Sequence, residues 1–282
     1  MAWLITGGNG YVGSHLIRAL PEELRADCLC PRRAELNLSS WESVKQYFET
    51  HEISRIVHLA AALDSDPKNL FESNIIAPYL LLEAARSYKV EYFLMASTNN
   101  VYGDGPEDFS EDDAYHPWTG NHYGISKMYG ELAVRTLLEG TDTQWAVVRI
   151  GDIYGPKQKV GALLKAVVGN ILGARPQRLY GEGDRTRDYI YIDDVAEGFR
   201  FVLENKLQGV YNLATGKGTN VREIVAIAES ISPCGEDTVL VPVEKEDHSR
   251  VVLNVDKLAA AGFRAPTGFA EGLKKIVEEE KQ

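Results

Sequence analysis

Through residue 149 the chain alternates short apolar runs with longer amphipathic stretches. The runs at 2–6, 25–30, 55–59, 91–97 and 144–149 have the length and content of buried strands. Between them, 11–20, 40–50, 68–88 and 122–139 repeat apolar residues every three to four positions, the period of a helix packed on one face. Strands that alternate with helices predict an α/β fold, a doubly wound parallel sheet. From Asn74 to Tyr88, the residues Ile75, Ile76, Tyr79, Leu80, Leu81, Leu82 and Ala84 make an apolar face broad enough for the sheet and for a partner subunit. After Pro156 the texture changes to short segments punctuated by glycine and proline. Helices near 159–172, 193–205 and 220–231 and a polar stretch from Glu244 to Ser249 predict a smaller, less regular C-terminal α/β lobe. The chain thus divides into 1–156 and 157–282, with a return to the main sheet expected near 188–212. A ligand is expected in the cleft between the two parts.

The first apolar run leads straight into Thr6-Gly-Gly-Asn-Gly-Tyr-Val-Gly13. Glycines at 7, 10 and 13 suit a strand that turns tightly into a helix: Gly7 for the turn, Gly10 for backbone approach to a pyrophosphate, Gly13 for helix packing on strand. Tyr11 and Val12 open that helix, whose positive N-terminus would face the phosphates. Such turns also occur with no ligand, so downstream residues must decide. Composition narrows the partners. A formal charge of -11 over 282 residues argues against nucleic acid or an anionic membrane as partner, since each needs a concentrated basic face. Cys28, Cys30 and Cys234 are too few and wrongly spaced for a disulfide framework or a zinc site and read as reduced thiols. No metal is expected. No run approaches ~20 apolar residues and no leader is evident, so a soluble, cytoplasmic protein is expected.

Tyr123-Gly-Ile-Ser-Lys127 begins a helical stretch, and the i,i+4 spacing puts phenol and ammonium on one face, one turn apart. A free phenol titrates near pH ~10, and an adjacent cation favours the phenolate, so the pair suits proton transfer. In a chain with 14 Tyr, chance gives about one such pair, and context has to carry the reading.

The context is five segments in order: Thr6 to Gly13; Val57-His58-Leu59-Ala60-Ala61; Ala96-Ser97-Thr98-Asn99-Asn100-Val101-Tyr102-Gly103; Tyr123 to Lys127; and Arg149-Ile-Gly-Asp152-Ile-Tyr154-Gly155-Pro156. Together they resemble the extended short-chain dehydrogenase/reductase family, in its nucleotide-sugar epimerase, reductase and dehydratase branch. Tyr180 to Val195, Tyr211-Asn212-Leu213, Arg250 and Asp256-Lys257 extend the resemblance to nearly the whole chain. It implies a dinucleotide-binding Rossmann domain in 1–156 and a mainly substrate-binding lobe in 157–282. Tyr123 would be the general acid/base while hydride passes between the sugar carbon and the nicotinamide. Lys127 would lower the phenol's pKa and hold the nicotinamide ribose, and Thr98 would hydrogen-bond the same substrate oxygen. The expected cofactor contacts are Gly7, Gly10, Tyr11, Val12, Gly13, Arg32, Arg33, Asn37, Leu38, Leu59, Ala60, Ala61, Asn74, Ser97, Tyr123 and Lys127. His58, in a buried-looking strand, reads as a packed core residue rather than an acid/base.

Cofactor and reaction can be narrowed further. After the second run stand Arg32 and Arg33 where NAD-preferring sites place an acidic residue for the ribose hydroxyls, so NADP is favoured, with NAD the alternative. Asn37-Leu38 would lie beside the adenine. Asn99 and Asn100 stand where similar 4,6-dehydratases carry Asp and Glu; an amide transfers no proton, so dehydration is disfavoured. Substrate contacts are expected from Thr98, Asn99, Asn100, Tyr102, Asp152, Arg187 and Arg250, the two arginines towards a diphosphate. Asp152 departs from the family's asparagine, and 243–250 lacks its Arg-Pro-Gly-Asp opening. Asp64-Ser-Asp66 stands for a longer family loop and reads as a solvated acidic turn. The sequence therefore points to a nucleotide-sugar 4-ketoreductase, with a 4-epimerase holding NAD as alternative and a non-catalytic dinucleotide sensor as a reading of another class. A homodimer is expected from the family.

Overall fold

The computed structural model describes residues 2–63, 66–103, 108–117, 120–158, 161–233 and 235–281. The first half runs β1 (Ala2–Thr6), α1 (Tyr11–Ala19), α2 (Glu22–Ala26), β2 (Cys28–Leu29), α3 (Trp41–Thr50) and β3 (Ile53–His58). It continues with α4 (Pro67–Phe71), a π-helical segment Glu72–Ile76, α5 (Ala77–Ser87), β4 (Tyr92–Thr98), a 3-10 turn Asn99–Val101, α6 (His122–Leu138) and β5 (Gln144–Ile150). The second half comprises β6 (Asp152–Tyr154), α7 (Ala162–Leu172), β7 (Arg178–Tyr180), β8 (Thr186–Tyr191), α8 (Ile192–Glu204) and β9 (Gly209–Leu213). It ends with β10 (Gly218–Asn220), α9 (Val221–Ile231), β11 (Val239–Val241), β12 (Arg250–Val251), α10 (Asp256–Ala260) and α11 (Phe269–Glu280).

The main sheet has the parallel order β2-β1-β3-β4-β5-β9, Rossmann-like and doubly wound. Its residues alternate between two cores, as the pleat requires of a sheet covered on both faces. Trp3, Ile5, Val57, Leu94 and Val148 face one layer of helices, and Leu4, Ile56, Phe93, Met95 and Val147 face the other. The chain winds outward in both directions from β1, so a switch point opens between β1 and β3 at the carboxyl ends of the strands, the place where such sheets bind ligands.

One feature departs from the sequence reading. The second strand is only Cys28–Leu29, because the residues after Pro21 close a helical turn whose Arg25 guanidinium bonds the carbonyls of Arg18 and Leu20. The sixth strand, β9, lies beyond the lobe boundary, and α8 before it packs on α1. A second sheet, β10-β8-β12 with β6 on β8, forms the smaller lobe. Only Gly151 separates β5 from β6, and a Cβ there would stand 2.7 Å from the Asp188 carbonyl oxygen. The two sheets therefore meet at Asp152, opposite Tyr189. Among the described residues no helix is long and apolar enough to cross a membrane.

Candidate active site

The glycine turn is shaped by what it leaves out. Gly7 has φ +73, and a Cβ on it would lie 2.6 Å from the Ala60 nitrogen; one on Gly13 would lie 2.3 Å from the Gly7 carbonyl oxygen. Bare backbone at both positions lets α1 start against β1 while the loop after β3 closes over the turn. Beside it lies a cleft of about 390 Å³ that brings together Gly7, Gly10, Arg32, Arg33, Asn37, Leu38, Ala60 and Ala61, eight of the expected cofactor contacts. Asn9, Pro31, Leu36, Ser39, Ser73 and Ala77 line it as well and were not singled out from the sequence. Asn9 was within reach, being inside the glycine turn; Ser73 lies in the π-helical segment and Ala77 begins α5. Among the described lining residues there is no carboxylate. A dinucleotide fits this set: a φ-positive glycine turn, an N-terminal helix end and two guanidinium groups at the mouth.

The other expected cofactor contacts divide. Leu59 donates its backbone N–H to the Thr6 carbonyl at 3.0 Å and, with Val12, packs on the core. Tyr11 turns its hydroxyl to the Pro156 carbonyl at 3.1 Å, tying α1 to the turn after β6. Two side chains face inward, contrary to expectation. Asn74 is 1% exposed, and its amide is taken by Ala62 N (2.9 Å), Ala62 O (3.0 Å) and Ser126 Oγ (2.9 Å). The buried Ser97 hydroxyl donates to Glu131 Oε1. Both shape the site from behind rather than offer a side-chain hydrogen bond to a ligand.

Of the residues expected to be catalytic, Thr98 ends β4 and Tyr123 and Lys127 lie at the start of α6, which Asn121 ties to the turn after β4 by donating to Asn100 Oδ1 at 3.2 Å. Asn121 caps α6 by accepting from Gly124 N at 2.9 Å, which starts the helix with Tyr123 in its first turn and Lys127 one turn on. Burial pushes the Tyr123 phenol up to about 12. Burial pulls the Lys127 ammonium down to about 8, with Glu131 one further turn on opposing the shift. Burial is the cause of the phenol's rise, and no lowering by Lys127 accompanies it. Thr98 ends β4 and caps the 3-10 turn, accepting from Asn100 N (3.2 Å) and Asn100 Nδ2 (2.9 Å). His58 is buried and bonded through Nδ1 to Thr6 Oγ1 at 2.8 Å; burial, with Lys127 adding to it, holds its pKa at about 3, so it is a neutral core residue.

Under this cluster lies a buried ion pair. Arg149, 1% exposed, grips Glu131 with Nε and Nη2 at 2.8 to 3.2 Å, and its Nη1 donates to Tyr102 Oη at 2.8 Å and Glu111 O at 3.2 Å. Tyr102 in turn donates to Asn212 Oδ1 at 2.7 Å. Its expected role as a substrate contact is therefore corrected: the phenol is 1% exposed and holds the core of the site together.

Among the expected substrate contacts, Asn99 Nδ2 donates to Asp152 Oδ2 at 2.9 Å. Burial raises the Asp152 pKa, against Arg187, the Asn99 hydrogen bond and Arg185. Arg187 donates to the carbonyls of Thr186 (2.8 Å) and Ser249 (3.0 Å) and to Ser249 Oγ (2.8 Å), and Arg250 pairs with Asp108 at 2.6 Å. Both arginines expected at a diphosphate have internal partners. Cys28 and Cys30 are free thiols in and beside the edge strand. Cys234, Asp64 and Ser65 lie outside the described residues, while Asp66 caps α4 by accepting from Lys68 N at 3.0 Å.

Comparison with known proteins agrees with this geometry. The chain is 26% identical over 299 residues to a putative UDP-glucose 4-epimerase of Methanocaldococcus jannaschii, covering 97% of this chain and 96% of that protein. It is 29% identical over 311 residues to a trifunctional UDP-glucose 4,6-dehydratase/UDP-4-keto-6-deoxy-D-glucose 3,5-epimerase/UDP-4-keto-L-rhamnose-reductase of Arabidopsis thaliana, covering 98% of this chain but spanning only 46% of that longer protein. The structure of the Thermus thermophilus UDP-glucose 4-epimerase in complex with NAD superposes with a TM-score of 0.82 at 29% identity, over 100% of this chain and 99% of the other. The profile of the NAD dependent epimerase/dehydratase family matches residues 3–214, more than half of the chain. With its glycine turn, its Tyr123–Lys127 helix and Thr98 at the end of β4, this chain belongs to the NAD dependent epimerase/dehydratase family.

Proposed function

We propose that the protein reduces the 4-keto group of a nucleotide-activated deoxyhexose, with Tyr123, Lys127 and Thr98 as its catalytic residues. The observation that carries this reading is the side-chain set at the end of β4, Thr98 with the amides of Asn99 and Asn100 and no acid or base among the three; burial keeps the Tyr123 phenol protonated in the neutral range, ready to give its proton to a developing alkoxide. A bound reduced nicotinamide would supply the hydride to the carbonyl carbon. Thr98 would hold the reacting oxygen, and Lys127 would hold the nicotinamide ribose. Asn99 and Asn100 offer amides only, which supports a reaction with no proton transfer at the neighbouring carbon.

The cradle's mouth supports NADP over NAD as this chain's preference. Arg32 and Arg33 are exposed there, and no carboxylate among the described residues lines the cleft to bind a free ribose diol. Arg187 and Arg250 would meet the diphosphate by exchanging their internal partners for phosphate oxygens. A second copy would cover the face on which Phe71, Tyr79, Tyr129 and Leu132 are 39 to 53% exposed, on and beside α5 and α6. The cytoplasm suits a chain of this composition.

A 4-epimerase with bound NAD is the second reading, favoured by likeness over the whole chain to an epimerase that holds NAD. The test is a panel of nucleoside-diphosphate 4-keto sugars with NADPH or NADH. Net, sugar-dependent consumption of NADPH is expected; an isomerised sugar without net consumption would replace the reductase by the epimerase. Dinucleotide binding with no conversion of any sugar would leave the sensor.

A further inference from the structure

Helix α6 carries a third polar residue on the stripe of Tyr123 and Lys127. Glu131 follows Lys127 by one turn, so the three stand one above another at i, i+4 and i+8. Glu131 is 0% exposed, and its two oxygens meet donors from three different segments. Ser97 on β4 donates to Oε1, and Tyr115 donates to Oε2 at 2.9 Å. Arg149, opposite Ser97 on β5, donates through Nε and Nη2 at 2.8 to 3.2 Å. The acceptor sites of the carboxylate are thereby filled, and it is fixed in a place where water does not screen its charge. Arg149 gives its Nη1 to Tyr102 Oη and the Glu111 carbonyl, so the guanidinium is fixed as well. The groups facing Lys127 are Glu131 on its own helix and His58 at the end of β3, a neutral imidazole. Those facing Glu131 from other elements are Ser97, Tyr115 and Arg149. Burial works against the Lys127 ammonium, and Glu131 works for it.

We propose that Glu131 is a positioning residue of the reaction: locked in place by β4, β5 and Tyr115, its carboxylate keeps the buried Lys127 side chain an ammonium, able to donate to a bound ribose. Charges fixed in this way need no rearrangement when a ligand arrives. The catalytic consequence rests on the reading of Lys127 as a catalytic residue; the coupling of the two charges does not.

The test separates the charge from the fold, using the full chain. Glu131→Gln alone strands the buried Arg149 guanidinium and should lower the Tm by about 10 °C. The double variant E131Q/R149M removes both charges at similar volume and should recover most of that loss. Function should not recover with it. Followed by NMR, the Lys127 ε-carbon should titrate about one pH unit lower than in wild type, and the ratio of kcat at pH 6 to kcat at pH 8 should rise about fivefold as the ammonium is lost earlier. Glu131→Asp keeps the charge and shortens the reach, so its Tm should fall while Lys127 titrates within about half a unit of wild type. A Lys127 that titrates at the wild-type pH in the double variant would overturn the proposal, as would a titration in E131D that falls by a full unit along with the Tm. A lowered titration in the double variant, with no nucleotide sugar converted by the wild type, would support the coupling of Glu131 to Lys127 and overturn only the functional reading.

Discussion

The dinucleotide end of the site is shaped by backbone, the substrate end by side chains already bonded to one another. At the first, Gly7 and Gly13 matter for the atoms they lack, and Ala60 closes over the turn with its backbone nitrogen. At the second, Asp152 holds Asn99, Arg187 holds Ser249 and Arg250 holds Asp108. A backbone cradle accepts one ligand shape and tolerates side-chain change around it. A side-chain constellation can be re-specified by a pair of substitutions, which is where members of one family can diverge in substrate while keeping a common cofactor fold.

The contrast breaks if the cradle tolerates a methyl group. Gly13→Ala should push the first turn of α1 away from β1 and cost dinucleotide affinity by about 100-fold, measured by fluorescence titration. Binding within about twofold of wild type would show that the backbone approach is not what shapes this end.

Lys127 joins the two ends, and its prediction carries opposite signs for activity and stability. Its folded pKa is about 8 against 10.5 for the free side chain. Between those values the unfolded chain binds more protons, so stability should rise with pH from about 8 towards 10.5; below about 8 the full cost of the buried ammonium is present. Lys127→Met should therefore raise the Tm at pH 7, by up to a few kcal/mol in equivalent stability, and flatten this rise, while turnover falls by about 100-fold or more. A lower Tm would mean that the ammonium's partners outweigh its desolvation.

The smallest expected effect is at the cradle's mouth, the one place where side chains matter at the backbone end. Arg32→Ala and Arg33→Ala should each weaken NADP binding about tenfold and leave NAD binding unchanged, as read by parallel titrations. Equal losses for both dinucleotides would make these arginines general phosphate or solvent contacts.

How much was legible in the sequence follows the same division. The glycine turn and the strands β1, β3, β4 and β5 depend on spacing within a few residues, and the structure places them where the spacing predicts; β2 is the exception, cut to Cys28–Leu29 by the helical turn before it. The pairing of Asp152 with Asn99 spans 53 positions and that of Arg250 with Asp108 spans 142, and no local pattern encodes either. Tyr102 lies in a motif that suggested a ligand contact, but the partner that claims its hydroxyl, Arg149, comes from the neighbouring strand. Asn74 turns inward to Ala62 and Ser126, partners 12 and 52 positions away, from a π-helical segment that a helical reading of 68–88 does not anticipate.

The central claim is that the Tyr123 phenol gives its proton to a sugar carbonyl as the reduced cofactor gives its hydride. Single-turnover oxidation of NADPH by a nucleoside-diphosphate 4-keto sugar, compared between wild type and Tyr123→Phe, tests it directly. The hydride-transfer rate should fall by about 1000-fold in the variant, with NADPH affinity unchanged. A phenylalanine variant that turns over near the wild-type rate would contradict it.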